Sequence, residues 1–382
     1  MSPAPTRPDR RLAWGWVAHL RAGGTTPWAD WSERGERAAE TGRFLPGAQQ
    51  LELLRRVNLA TRTPVAERLA TRVLEASAPG RGRPDLELTG ADSGSRFGPR
   101  PVDPTALPDD ELLRVAAGLI AEDLVAAGLP ARLPPPLTRP WRRSYRIVGD
   151  PVLADPLRAG LVARGRPPGG GHPRILVMGG PTDRMLADAF QARALDVGGP
   201  PWHDWMAVLV ERDHLAPRVD LAQVARVWER RTSVDRVTLV LDPRAVPRLV
   251  GLRRRLSVPP PLAAEAVDLA RRVAGVLGLL VPPDRRTALL RETLAPRLAD
   301  TSGSTWGVPA DLRPWLTERA GRMHEQLRRA GYAVAGGDLD GVLPAYPDDA
   351  VDHVADDRVL GLAIDLLLMG PAPRAGAGEG DG

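Results

Sequence analysis

Residues 174–195 read RILVMGGPTDRMLADAFQARAL. Ile175 to Met178 form a short apolar run that Gly179, Gly180 and Pro181 stop. A run of that length bounded by glycine and proline predicts a strand buried on both faces. Beyond the turn, apolar residues recur at helical spacing and predict a helix over 182–195. The same alternation continues on both sides. Short strands are expected at 145–148, 237–241 and 332–335, with helices at 152–164, 219–230, 262–279, 284–299 and 312–330. Strands separated by helices imply a parallel sheet with right-handed crossovers and helices on both faces. The expected fold class is therefore α/β, a small parallel sheet flanked by helices and preceded by a mainly helical N-terminal section.

That section covers 12–140. Leu51, Leu53, Leu54, Val57 and Leu59 mark one helix, and Val65, Leu69, Val73 and Leu74 mark a second behind Pro64. A third opens at Asp109 and Asp110 and stops at Gly128 and Pro130. Residues 78–108, rich in Pro, Gly, Asp and Ser, read as a long loop, and proline-rich 133–140 reads as a boundary. The division expected is a disordered tail over 1–11, the helical section 12–140, an α/β domain 141–345, a C-terminal helix within 346–370 and a disordered tail 371–382. One motif occurs twice. LRAGGTTPWADW begins at Leu20 and LDVGGPPWHDW at Leu195. A helix stop, a turn and a new helix with packed tryptophans explain both copies more simply than a duplicated functional loop does.

Composition excludes several chemistries. All 52 basic residues are Arg; there is no Lys and no Cys, and Asn58 is the only Asn. A Walker-type lysine, a Schiff base, a cysteine nucleophile, a thiolate zinc site and a disulfide are thus ruled out. The net charge of +5 is carried by Arg interleaved with 47 acidic residues. This reads as a mixed-charge surface and argues against a nucleic-acid partner. No apolar run reaches the length of a membrane span, and the N-terminus lacks the apolar segment of a signal peptide, so a cytoplasmic protein is expected.

Ligands of parallel sheets bind beyond the carboxyl ends of the strands. Three pieces of chain should meet there: 179–183, 242–244 and the loop after Gly149. The candidate binding residues are Gly180 for its backbone amide, Thr182 for its hydroxyl, and Arg184 and Arg244 as cations for an anion. Plainer readings give Thr182 or Asp183 the role of helix cap and pair Arg244 with a carboxylate. His203, Asp204, Asp213 and His214 have side chains that could bind a metal, but their spacing fits no metal motif. His172 and His324 show no partner in the sequence. Ser93, Ser302 and Ser304 lack the context of a nucleophile elbow, and Asp338 to Asp340 read as a turn.

Three stretches resemble actinobacterial sulfotransferase-like proteins, relatives of the P-loop sulfotransferases. They are ILVMGGPTDRMLADAFQARAL at 175–195, VDLAQVARVWERRTSVDRVTLVLDP at 219–243, and 308–344 with its RPW opening and AGYAVAGGDLD ending. The resemblance implies a P-loop sulfotransferase-like fold, with 3′-phosphoadenosine 5′-phosphosulfate as donor. It also implies transfer of a sulfuryl group to a sugar or small metabolite, so the ligand expected is a nucleotide or a sugar. The family's 3′-phosphate contacts, an Arg after the strand and a Ser in the next helix, fall here on Gly180 and Asp188. No glycine-rich phosphosulfate loop with a cation precedes the first matching strand; Gly23 to Thr26 has the residue types without the strand. The alternative is a non-catalytic relative acting in binding or assembly. Helix LELLRRVNLA at 51–60 is similar to one the family places after its second strand, and TALLRETLAP at 287–296 is its counterpart.

Overall fold

The Asp9 carboxylate accepts a hydrogen bond from the Leu12 amide at 3.1 Å and so opens the first helix. That helix, α1, spans Arg10–Arg21 and begins inside the stretch expected to be a tail. The computed structural model describes residues 9–41, 45–61, 63–76, 86–91, 99–130 and 144–370. Ser93, the boundary at 133–140 and the stretch 371–382 lie outside the described residues. The chain forms two compact units.

The first unit contains α1, α2 (Trp28–Arg34), α3 (Ala48–Ala60), α4 (Glu67–Glu75), strands β1 (Leu86–Leu88) and β2 (Arg100–Val102), and α5 (Asp109–Ala127). The two strands pair in parallel, Leu86 opposite Arg100, within the stretch expected to be only loop. Leu88 is fully buried, and β1 packs on α3, which is what orders this segment. The apolar faces of α1, α3 and α5 supply the core: Trp16, Leu20, Leu51, Leu54, Val57, Leu112, Leu113 and Ile120 are all buried. Each large aliphatic side chain buried in this way contributes about 1.5–3 kcal/mol. Asn58 donates through Nδ2 to the carbonyls of Leu20 and Gly24, both at 2.8 Å. It thereby ties the end of α1 and the turn after it to α3.

The second unit begins with β3 (Tyr145–Gly149), α6 (Pro151–Val162), β4 (Arg174–Met178), α7 (Thr182–Asp196), α8 (Trp202–Glu211), α9 (Leu221–Glu229) and β5 (Val237–Val240). It continues through α10 (Val246–Leu249), α11 (Ala264–Leu280), α12 (Pro283–Leu289), α13 (Ala295–Leu298), α14 (Arg313–Ala330) and β6 (Ala333–Ala335). Where one helix was expected over 284–299, a π-helical turn at Leu290–Leu294 separates α12 from α13. Pro296 has no amide to give the preceding turn, so the helix widens there. The last five residues of α11 and the final helix, α15 (Asp356–Leu368), belong to the first unit, where α15 packs on α5 and α3.

Strands β3, β4, β5 and β6 form one parallel sheet in chain order. Gly149 lies opposite Met178, Met178 opposite Val240, and Val240 opposite Ala335, so all four strands end at one carboxyl edge. On one face, Tyr145, Ile147, Leu176, Met178 and Val240 pack against Ala154, Leu157 and Leu161 of α6 and against Val246. Neighbours along β4 point the opposite way, and α9 packs against β3, β4 and β5 with Leu221 seated on Gly179.

The repeated motif is one local structure built twice. Gly23 and Gly198 adopt the left-handed region after α1 and α7, at φ +88° and +74°. Pro27 and Pro201 are then extended, and Trp28 and Trp202 open the next helices. Both tryptophans are buried; Trp28 lies 5.3 Å from the Trp16 ring and Trp202 lies 5.1 Å from Phe190. Asp30 and Asp204 are exposed in the first helical turns, where their charge suits the helix dipole.

At Gly149, φ is +93° and a side-chain Cβ would lie 2.2 Å from the Met178 carbonyl oxygen. Gly149→Ala is expected to destabilise the protein by about 2–4 kcal/mol in urea unfolding. Gly180→Ala, where nothing lies within 4 Å of the added carbon, should stay within about 0.5 kcal/mol.

Candidate functional site

The three expected turns all lie at the carboxyl edge, but they line separate clefts: one of about 410 Å³ beside Gly149 and Arg218, and two that hold the candidate binding residues. The order β3-β4-β5-β6 never reverses. The crevice that a doubly wound sheet opens at its switch point is therefore absent from these four strands. Ligand space must come from the loops.

The first cleft lies along α7. Pro181, rather than Thr182 or Asp183, occupies the capping position, and it makes no side-chain cap. The buried Thr182 hydroxyl instead donates to the Val342 carbonyl at 2.5 Å. Asp183 accepts from the amides of Ala345 at 3.1 Å and Tyr346 at 2.8 Å. Residues 342–346 thus occupy the hydroxyl and the carboxylate at the start of α7, and Thr182 is not free to serve a ligand. Gly180 is buried on the same turn. Arg184 reaches Asp188, with Nε 3.7 Å from Oδ2, while about half of its side chain remains exposed.

Asp188 is 2% exposed and Asp150 1%. Asp150 follows β3 and caps α6, accepting from the amides of Val152 at 2.9 Å and Leu153 at 3.2 Å. The left-handed turn at Gly149 places it there, and Arg218 fixes the turn by donating to the Gly149 carbonyl at 2.7 Å. The two carboxyl groups lie close enough for each to shift the other's titration. Burial, then the Asp150 charge, hold Asp188 well above the ordinary carboxylate range, against the pull of Arg184. Burial also raises Asp150, but the neighbouring Asp188 carboxyl, the bonds from the two amides and Arg218 oppose this. Asp188 is therefore the member that keeps the proton. Asp188 was singled out only through the resemblance; its partner was hidden because residues 150 and 188 belong to successive strand–helix units and meet only where α6 packs on α7.

The second cleft contains Arg244. Asp242 turns the chain after β5 by accepting from the Arg244 amide at 2.8 Å. The Arg244 side chain is exposed and has no ion pair among the described residues, so it does not take up the carboxylate offered as its plain reading. Arg248, Arg253, Arg254 and Arg255 line the same cleft, which has a volume of about 890 Å³. None of these five has a carboxylate partner among the described residues, although most arginines of α6, α11 and α14 do. Arg is dispersed along the sequence as a whole, yet here five side chains face one space. The missed signal was residues 252–256, LRRRL, which hold the only run of three arginines in the chain.

Other candidates have structural partners. Asp213 accepts from the Trp315 indole at 3.1 Å and pairs with Arg319 and Arg322, and His203 lies on the exposed side of α8. Among the described residues, no three His, Asp or Glu side chains gather as metal ligands would. His324, which has no partner visible in the sequence, lies with Nε2 3.0 Å from Asp340 Oδ1. No helix among the described residues is long and apolar enough to cross a membrane.

Comparison with known proteins finds no matching family model, curated protein or solved structure.

The Asp188 proton gives a pH test. The unfolded chain loses it near the ordinary aspartate value of 3.8, whereas the native protein holds it to higher pH. The native state then binds more protons, so stability falls as pH rises through that interval. Asp188→Asn removes this slope. The variant should gain on the parent by up to about 1.4 kcal/mol per pH unit, measured by thermal unfolding from about pH 4 to about pH 8.

Proposed function

We propose that the α/β unit binds a multiply charged phosphate or sulfate ester in the arginine cleft beyond β5. In this reading the chain is a sulfotransferase-like protein that keeps anion binding without the family's donor cradle. The observation that carries it is the five arginines around one cleft with no carboxylate partner. Unpaired guanidinium groups raise the local positive potential, and their planar forks match phosphate and sulfate oxygens. Size separates the two clefts. A ligand of nucleotide size needs roughly 300–1,000 Å³, which the arginine cleft of about 890 Å³ offers and the α7 cleft of about 60 Å³ does not.

Two features of α7 favour the non-catalytic alternative over sulfuryl transfer. Thr182 and Asp183 are tied to 342–346. Asp188, a carboxyl group, stands where the resemblance has a Ser that contacts phosphate. 3′-Phosphoadenosine 5′-phosphate, the product form of the donor, is the first ligand to test.

A thermal-shift titration with that nucleotide should stabilise the protein by about 2.7 kcal/mol at a hundred times the dissociation constant. Arg244→Ala should weaken binding by about 1.5–3 kcal/mol, and replacing Arg253, Arg254 and Arg255 together by Gln should abolish it. Arg184→Ala should leave it unchanged. Absence of any shift, or loss of binding in Arg184→Ala alone, would exclude the arginine cleft as the site.

A further inference from the structure

We propose that Ser257 is a phosphorylation site, and that its phosphate closes the arginine cleft beyond β5 by pairing with the guanidinium groups that line it. The modification stands on the residues around Ser257; only its effect on a nucleotide rests on the cleft being an anion site. Two serines in the chain, Ser233 and Ser257, have arginine at both the second and the third position upstream and valine immediately downstream. Serine kinases that select such substrates pair acidic side chains with the arginines and take the substrate as an extended chain. The sequence therefore offers two equivalent candidates, and the structure separates them.

Ser233 follows a wound turn at the end of α9. The amides of Arg230, Arg231 and Thr232 donate to the carbonyls of Arg226, Trp228 and Glu229 at 3.2, 3.0 and 3.1 Å. Arg231 lies over the Trp228 ring at 5.3 Å, and the Ser233 carbonyl accepts from the Arg236 amide at 3.1 Å. An extended presentation of Ser233 would break all of these. Residues 252–263, by contrast, lie in neither helix nor strand. From Arg253 to Pro261 no residue makes a hydrogen bond or an ion pair among the described residues. The segment is held by Leu252, Leu256 and Val258, which pack on the core beside β4 and β5, while Arg253, Arg254, Arg255 and Ser257 are exposed. A stretch held by a few side chains and no hydrogen bonds opens locally at low cost. Pro259, Pro260 and Pro261 keep the chain beyond Ser257 extended.

The transfer uses ATP and a serine kinase of that arginine-selecting class. The Ser257 Oγ attacks the γ-phosphorus of ATP, and the bond from that phosphorus to the β,γ-bridging oxygen breaks. ADP leaves, and the hydroxyl proton passes to the kinase's base. The phosphate carries a charge of about −1.5 to −2 at pH 7. It is attached one residue beyond Leu256, which lines the cleft with Arg244, Arg248, Arg253, Arg254 and Arg255; Asp242 is the acidic residue already there. A tethered phosphate engages these arginines without the entropy cost of capturing a free ligand, so it competes with any phosphate or sulfate ester for them.

The test incubates the folded full chain with ATP and the catalytic subunit of an arginine-directed serine kinase, and locates the phosphate by peptide mass spectrometry. The expected result is phosphate on Ser257, absent from Ser257→Ala and kept in Ser233→Ala. A ³¹P resonance titration then reads the contact with the cleft. The phosphate should lose its second proton, ordinarily at about pH 6, at lower pH in the protein than in the isolated phosphopeptide 251–263, which has Arg253 to Arg255 but neither Arg244 nor Arg248. Phosphorylation should weaken binding of 3′-phosphoadenosine 5′-phosphate about tenfold, whereas unmodified Ser257→Ala binds it as the parent does. No phosphate on Ser257, a preference for Ser233, equal titration in protein and peptide, or nucleotide binding untouched by the phosphate would overturn the proposal. A parent protein that binds no nucleotide overturns the anion-site reading alone, because the mass and ³¹P measurements still decide whether Ser257 is modified and engages the arginines.

Discussion

The close approach of Gly149 to the Met178 carbonyl governs the α/β unit. No side chain fits there, and the backbone must turn left-handed as it leaves β3. That turn directs the Asp150 amide to the Met178 carbonyl at 3.0 Å and extends the ladder by one bond. It also aims the Asp150 carboxylate at the first amides of α6, so a strand end, a helix start and a buried acid share one geometric condition. Asp188 on α7 then meets that acid from the next strand–helix unit. Two carboxyl groups enter a dry interior together because one of them stays protonated.

Charge elsewhere follows a different rule. On helices, arginine meets acid at helical spacing, as in Arg271 and Arg272 with Asp268 or Arg328 and Arg329 with Glu325. The pairs at Glu325 are largely exposed and add little stability, whereas those at Asp268 are mostly buried. Residues 244–255 lie in a stretch with no acidic residue between Asp242 and Glu265, so no carboxylate stands at helical spacing from their arginines. Their arginines stay unneutralised, and a dispersed sequence charge becomes a local field.

Both units also use one packing device. A helix ends at glycine, a proline carries the chain out, and a tryptophan opens the next helix by burying its ring. In each, an Arg of the LLR helix serves that corner: Arg55 donates to the Thr25 carbonyl at 3.4 Å, and Arg291 pairs with Asp196 at 2.6 Å. The sequence likeness between the two stretches is therefore a likeness of helix corners, and aromatic burial accounts for it.

The sequence by itself determined the order of strands and helices from residue 145 onward, because short apolar runs between glycine and proline admit few other structures. It also determined the chemistry the chain lacks, and it placed Gly180, Thr182, Arg184 and Arg244 at the edge where strands end. Local pattern could not reach further. The β1–β2 ladder is stabilised by burial of Leu88, and the break at 290–294 depends on Pro296. The state of Thr182 depends on Val342, a residue 160 positions away. The strand order and the meeting of Asp150 with Asp188 were likewise decided only by the tertiary structure. Each depends on which distant groups share a buried space, and burial sets both hydrogen-bond satisfaction and charge state.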